Sequence, residues 1–428
     1  MYEVELRRKD FLNQYPLLNM MNANGAYELE QPRPMHLYLH IPFCYKKCDF
    51  CYYKSEKLGA KEIPKEYFEA LNKEIDLQAK KNVVLRSMYW GGGTPTTMSE
   101  KQIEYLLNHI FSVFEMSEDF EFCCEIRPGL EVTDEKISIL KKYNIKRISM
   151  GLQSMNPNIL KINGRNHNVE TFYKIYEKVK KSGVFSVNVD LMSGLIGDST
   201  DTFMESLEAL VSLSPENITI YKLQLYYNSR LYRKIREENI FVMTDEEEFE
   251  LISQAYDYLL ECGYEPADNF SYRKSRKYSH LHRVATWDGE DMVGVGASAH
   301  SCLSNAIYQN EIDIDKYIQK VEKGERIITR AYTYTMYENM IRHFIFGIKS
   351  CSYALENFKK RFGIEIMNIF AKEIQWLIDQ EYVKFDKKNN MLITTKIGTL
   401  YADDIVRVFF PNVQKEINMG FKNRLNRI

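Results

Sequence analysis

His40-Ile41-Pro42-Phe43-Cys44-Tyr45-Lys46-Lys47-Cys48-Asp49-Phe50-Cys51 gathers three cysteines into one short run, with three residues between the first pair and two between the second. The run reads as a loop curled around a single object. A cubane [4Fe–4S] cluster ordinarily takes four protein thiolates. A cluster held by Cys44, Cys48 and Cys51 therefore keeps one iron open to an external ligand. Zinc and a disulfide are the competing readings. Zinc sites usually pair two cysteine or histidine groups, one upstream and one downstream, and no second half follows here. Disulfides require even pairing and an oxidising compartment. The cluster is the reading that fits.

Outward from this loop, the chain alternates between two periodicities. Runs at 36–41, 87–90, 120–126, 146–153, 185–192 and 217–225 read as strands. Runs at 64–80, 99–114, 133–143, 169–182, 200–213 and 244–262 read as helices, with Ser99 and Thr133 or Asp134 as N-caps and Gly183 and Gly263 as stops. Strand–helix repeats with glycine turns after strands predict parallel βαβ units. About six strands fall short of the eight of a closed barrel. The expected fold is α/β, a partial (β/α)6 TIM-type barrel whose open side admits a large substrate. The glycine-spaced stretch 293–300 reads as a loop. Beyond about 311 the pattern is helical, with a strand pair near 381–395, which predicts a winged-helix-like C-terminal domain. The expected division is an N-terminal extension over 1–35 with some helix, ending in QPRPM, a barrel with its extension over 36–303, and the helical domain over 304–428.

Composition sets outer limits. The 428 residues carry 45% hydrophobic and 27% charged side chains, as in an ordinary soluble globule. A net charge of −2 offers nothing for bulk nucleic-acid binding, so the winged domain is expected to cover the barrel mouth and not to bind nucleic acid. No apolar run approaches a membrane span, and the N-terminus lacks a signal-peptide core. The expected location is the cytoplasm, where the eight cysteines stay reduced. Cys123 and Cys124 are neighbours in a strand and face opposite sides; they read as small buried hydrophobes, and Cys262, Cys302 and Cys351 as structural.

The three-cysteine pattern, with aromatic Phe50 before the last, resembles the radical S-adenosylmethionine (radical SAM) superfamily. Tyr38 to Cys44, Trp90-Gly91-Gly92-Gly93-Thr94-Pro95, Ser149-Met150-Gly151-Leu152-Gln153 and Asp190 in VDLMSGL are similar to the oxygen-independent coproporphyrinogen III oxidase (HemN-like) branch, over about residues 36–303. The resemblance implies that SAM chelates the open iron and is cleaved by an electron from the cluster, supplied by a donor such as flavodoxin or ferredoxin. It implies that Gly92, Gly93 and Thr94 meet the SAM amino group, that Glu125 stands against SAM, that Arg165 pairs with its carboxylate, and that Asp190 takes the ribose hydroxyls. Gln153, Met192 and Gln224 complete the expected set, and Tyr38 is expected near the sulfonium and the substrate. The GGGTP run lacks the lysine and Ser/Thr spacing of a phosphate loop. From the residues alone, Glu125 also has a salt bridge to Arg127 or Arg165 open to it.

Reaction type turns on departures from that branch. Its decarboxylases carry a further cysteine two residues after the third; this chain has Tyr53. The expected reaction is therefore that of relatives that bind two SAM molecules, the class C methyltransferases and cyclopropanases, which use one SAM as radical source and the other to add a methyl or methylene carbon to an sp² centre of a small-molecule substrate. A coproporphyrinogen oxidase-like reaction is the first alternative. A haem chaperone is the second: His282-Arg283-Val284-Ala285-Thr286-Trp287 keeps the His and Trp of the chaperones' His-Asn-x-x-Tyr-Trp motif, and GVGASAH ending at His300 resembles their glycine-rich loop. Haem bound through His282 is thus the less favoured cofactor.

Overall fold

The computed structural model describes residues 11–17, 20–22, 35–59, 62–79, 83–165, 168–226, 229–238 and 240–411. Most of the 1–35 extension, including nearly all of QPRPM, lies outside them. Six strands run parallel, each paired with the next: β1 Met35–Ile41, β2 Val84–Gly92, β3 Glu115–Ile126, β4 Arg147–Gln153, β5 Ser186–Ser193 and β6 Asn217–Lys222. The crossovers are helices α1 Lys65–Ala79, α2 Glu100–Val113, α3 Asp134–Lys142, α4 Val169–Lys181 and α5 Thr200–Ser212. Their starts are chemically marked. Ser99 and Gln102 form a reciprocal capping box at α2, Thr133 accepts from the Lys136 amide at α3, and Ser199 and Thr202 form a second box at α5.

The arc does not close on itself. The sheet has twelve strands in an open order. Beyond β1 lie Met292–Val295, His300–Cys302, Ala306–Asn310 and Ile328–Thr333; beyond β6 lie Ser271–Arg273 and Glu265–Pro266. Two expectations are corrected here. The start of the glycine-spaced stretch is no loop: Met292–Val295 is a seventh parallel strand on β1, and the turn follows it. The segment Ile328–Thr333, expected within a helical tail, is a strand because it pairs antiparallel with Ala306–Asn310.

Strand side chains alternate between two faces, and both faces of this arc are enclosed. The outer face carries Leu37, Leu39, Trp90, Phe122, Ile148, Val187, Val189 and Ile218, packed under the helices. Burying each such side chain stabilises by about 1.5–3 kcal/mol, so this face supplies much of the barrel's apolar burial. The inner face can then be polar. It carries His36, Tyr38 and His40 on β1, Ser87 and Tyr89 on β2, Glu121, Cys123 and Glu125 on β3, Arg147 and Ser149 on β4, and Asn188 and Asp190 on β5, in mutual register. Helix α6, Leu281–Trp287, packs against β2 and β1 and fills part of the lumen.

Helices Met336–Lys349, Leu355–Phe362 and Met367–Asp379 form a second core with a three-stranded sheet of Ser352–Ala354, Met391–Thr394 and Val383–Asp386, the winged-helix arrangement expected. Leu12 and Tyr15 are buried in this same core, beside Phe344, Phe358 and Phe370. A buried ionic cluster joins the parts. The Lys349 ammonium, fully buried, lies 2.7 Å from Asp403 Oδ1 and also donates to the Leu12 carbonyl. Asp403 accepts from the Leu12 amide at 3.1 Å and from Asn269 Nδ2 at 3.1 Å, with Lys222 at the end of β6 3.5 Å away. Burial pushes the Asp403 carboxyl up, but Lys349 and Lys222 bring it down to about 2.

Candidate active site

A cavity of about 270 Å³ opens at the C-terminal ends of the strands, where barrels of this kind gather their working residues. All three cysteines of the opening run line it. Their loop is pinned at its base: Phe43–Cys44 pairs in parallel with Glu56–Lys57, and the Leu58 amide donates to the Cys44 carbonyl at 2.8 Å. Burial pushes the Cys44 thiol up, and the Cys51 thiol up to about 11, with Cys48 adding to both. These thiols therefore hold their protons until a metal displaces them.

The loop also positions Arg165. The Asp49 amide donates to the Asn163 carbonyl at 3.2 Å, and Lys234 Nζ sits 2.5 Å from Asp49 Oδ2. Gly164 has φ +75°, and a Cβ there would stand 2.6 Å from Asp49 Cγ, so only glycine lets the two segments meet. Arg165 then enters the cavity with Nη1 3.2 Å from Cys48 Sγ and Nη2 on the Gly151 carbonyl. On the opposite wall, a Cβ on Gly93 would lie 2.4 Å from the Phe43 carbonyl oxygen. The Gly93 amide donates to the Ile41 carbonyl at 2.8 Å and the Thr94 amide to the Phe43 carbonyl at 2.8 Å. With those amides spent, this turn approaches a ligand through acceptors, which suits an ammonium group and not a phosphate.

Two carboxyls face the cavity from β3 and β5. Burial pushes Glu125 up to about 7, against the Tyr89 hydroxyl that donates to it at 2.6 Å. It pairs with neither arginine left open to it: Arg127 binds Glu131 at 2.8 Å, and Arg165 is placed as described. Burial likewise pushes Asp190 up to about 6, although Asn188 Nδ2 donates to it at 2.6 Å and Ser149 Oγ at 3.4 Å. Gln153 ends β4 at a register shift with φ 79°, and this irregularity turns it into the cavity. Gln153 Oε1, Arg165 Nε and Gln224 Nε2 are buried without a hydrogen-bond partner among the described residues. Buried polar atoms rarely stay unpaired. A zwitterionic ligand with ammonium, carboxylate and hydroxyl groups supplies partners of the kinds these atoms lack, and three thiols in one loop match a cluster with an open iron. The residues present thus fit both groups. Met192 adds an apolar contact and lines the same cavity with Gly92 and Thr94.

Other expected residues lie elsewhere. Tyr38 is inside the lumen but not among the cavity-lining residues; its hydroxyl bonds His40 Nδ1 at 3.0 Å and its ring stacks on Tyr89 at 6.1 Å. His282 is buried in the lumen, with Nδ1 2.7 Å from Ser87 Oγ and its ring on Tyr89 at 5.3 Å. His300 pairs with Gln309 in the sheet extension, and burial lowers its imidazole to about 3. The glycines of its loop serve backbone packing: a Cβ on Gly296 would lie 2.5 Å from the His40 carbonyl oxygen. Sequence reasoning missed Phe11, Tyr52 and Tyr221, which line the cavity, and Tyr226, which stacks on Tyr52 at 4.1 Å. Tyr53 stacks on Tyr52 at 4.3 Å and remains 47% exposed. Only the position of Tyr52 and Tyr53 beside Cys51 signalled any of these.

Residues 38–210 match the model of the radical SAM superfamily. The oxygen-independent coproporphyrinogen III oxidase of Salmonella typhimurium is 26% identical, over 81% of this chain and 78% of that one. The heme chaperone HemW of Haemophilus influenzae is 30% identical, over 63% of this chain and 71% of that one. The solved structure of coproporphyrinogen III oxidase (HemN) from Escherichia coli superposes with a TM-score of 0.81 at 21% identity, over 95% of this chain and 99% of that one, which establishes the shared fold. The chain belongs to the HemN-like family of radical SAM enzymes. A [4Fe–4S] cluster and SAM are the groups this fold holds, and they call for a reductant and a small-molecule substrate. No described helix is long and apolar enough to cross a membrane.

Proposed function

We propose that Cys44, Cys48 and Cys51 hold the cluster and that the remaining cavity residues bind SAM beside a small substrate. The observation that carries this reading is the convergence of three thiols with three unpartnered buried polar atoms, from Gln153, Arg165 and Gln224, in one cavity. When bound, the cluster and SAM supply one-electron cleavage of the sulfonium to a 5′-deoxyadenosyl radical. The chain's part is to bind, orient and exclude. Arg165 offers a guanidinium to the SAM carboxylate, the Gly92–Thr94 turn offers acceptors to its ammonium, and Asp190 with Ser149 offers acceptors to ribose hydroxyls. Anaerobic reconstitution tests the base reading: the protein should bind about four irons and four sulfides and form 5′-deoxyadenosine on reduction. The Cys44→Ala/Cys48→Ala/Cys51→Ala variant should do neither. Undiminished iron in it would overturn the assignment.

Within that chemistry, the narrower reading is transfer of a SAM-derived methyl or methylene carbon to an sp² carbon. Tyr53 supports it, standing at the cavity where the decarboxylases keep a cysteine. SAM carrying a deuterated methyl should then label both the product and 5′-deoxyadenosine. The similarity to coproporphyrinogen oxidases over 81% of the chain supports a second reading; stoichiometric carbon dioxide from coproporphyrinogen III would put it first. A chaperone role through His282 would require that buried ring to leave Ser87 and Tyr89.

A further inference from the structure

Deeper in the lumen, two and four residues before Glu125 on the same face of β3, stand Cys123 and Glu121. Facing them is His280, the residue before α6. The ligand atoms of these three side chains all lie within 4.8 Å of one another. Cys123 is 1% exposed, and the Glu121 and His280 side chains are 14% and 11% exposed. We propose that Glu121, Cys123 and His280 form a second metal site that takes a zinc-class divalent cation, separate from the cysteine loop.

The contacts present leave this cluster incomplete. Glu121 Oε1 accepts weakly from Cys123 Sγ at 3.4 Å and from the His282 amide at 3.3 Å. His280 Nε2 stands 3.9 Å from Glu121 Oε1, too far for a hydrogen bond. Both ring nitrogens of His280 are buried without a hydrogen-bond partner among the described residues. An imidazole so placed normally finds a donor or acceptor, and a cation satisfies the one nitrogen that ligates it. A thiolate, a carboxylate and a neutral imidazole balance a divalent charge. Sulfur and nitrogen donors select zinc over magnesium or calcium. Zinc–ligand bonds of about 2.0–2.3 Å imply donor separations of roughly 3.3–3.7 Å, so closure asks for side-chain shifts of about 1 Å. The neighbouring Arg147 guanidinium is committed elsewhere, donating to Asn217 Oδ1 at 2.9 Å, Ser186 Oγ at 3.2 Å and the Tyr278 carbonyl at 3.4 Å. The last of these fixes the segment that delivers His280. Tyr89 lies between this site and the cavity, with its ring 5.4 Å from that of His280 and its hydroxyl on Glu125. A metal here ties the start of α6, and with it His282, Arg283 and Trp287, to β3.

The test uses the full chain in two forms. In the variant lacking Cys44, Cys48 and Cys51, one equivalent of zinc should survive dialysis against a weak chelator. Cobalt(II) should give the intense visible bands of a tetrahedral site with a sulfur charge-transfer band. Both signals should be lost in Cys123→Ser and in His280→Ala built on that background, and added zinc should raise the melting temperature only where both residues are present. No retained metal, or a cobalt spectrum indifferent to Cys123→Ser, overturns the proposal. Because these variants are in the lumen and can misfold, zinc X-ray absorption on the otherwise unaltered, cluster-loaded protein gives an independent reading. One sulfur with nitrogen and oxygen neighbours supports the site; an oxygen-and-nitrogen shell alone, or several sulfurs, overturns it.

Discussion

Glu125 is poised by its surroundings to change charge near neutrality. Burial lifts its carboxyl from the ordinary 4.5 to about 7, so between those values the folded protein holds a proton that the unfolded chain has released. Stability of the SAM-free protein should therefore fall as pH rises through that window, by about 3 kcal/mol in total from this group. Glu125→Gln should remove its share of this slope, most clearly above about pH 6 where Asp190 is already ionised, which chemical denaturation at a series of pH values would show. SAM carries an ammonium and a sulfonium, so its binding should tighten as Glu125 ionises, and equilibrium dialysis should find that gain absent in Glu125→Gln. At Arg165→Ala and Asp190→Ala, SAM affinity should drop about tenfold or more while iron content stays at the parent level, since each loses a charge-assisted contact worth roughly 1.5–3 kcal/mol. Parent-like SAM binding in both would show that these two residues do not hold it.

At the scale of elements, glycine contacts separate site-building turns from ordinary ones. Gly93→Ala places a methyl 2.4 Å from the Phe43 carbonyl oxygen, and relief moves either Cys44 or the end of β1. Overpacking of this kind costs about 1–3 kcal/mol, so the melting temperature should fall and reconstituted iron should drop with it. Gly183→Ala is the control: Gly183 sits at φ +73° and a Cβ there meets no atom within 4 Å, so about 1–2 kcal/mol of backbone strain should leave iron content unchanged. These elements differ in how far local sequence announces them. Ser99 and Thr133 declare the starts of α2 and α3 through their own hydroxyls, and the alternation in Phe122-Cys123-Cys124-Glu125 declares a strand with one apolar and one polar face. Ile328–Thr333 declares nothing by itself, because pairing with Ala306–Asn310 makes it a strand. His282 and Arg283 read only as part of a motif. Their places depend on Ser87, 195 residues away, and on Asp268, which Arg283 Nη1 meets at 2.7 Å. The three cysteines are legible since a loop chelates locally; Phe11 and Tyr221 are not, since distant chain folds bring them to the cavity.

Across the whole molecule, Lys349 and Asp403 join the two cores and the N-terminal arm. Lys349→Met leaves the Asp403 charge buried with only Lys222 as a partial counter-ion, and removal of one member of a buried pair costs about 3–5 kcal/mol. We expect a single, lower unfolding transition and faster proteolysis near residues 11–17, which limited digestion with mass spectrometry would locate. The ammonium also lies over the rings of Phe11 and Trp287, at 4.9 and 5.2 Å. The same variant should therefore loosen a wall of the cavity and raise the KM for whatever substrate the cavity takes.

The bond from the Leu12 amide to Asp403 spans 391 positions. During synthesis the arm is made before its docking partner, which follows only after roughly 20–80 s at 5–20 residues per second. For that interval the six barrel strands and the cysteine loop can already be folded while the wall that Phe11 completes is missing. Until Asp403 is made, the arm lacks the partner that seats Phe11 at the cavity which the three thiols line.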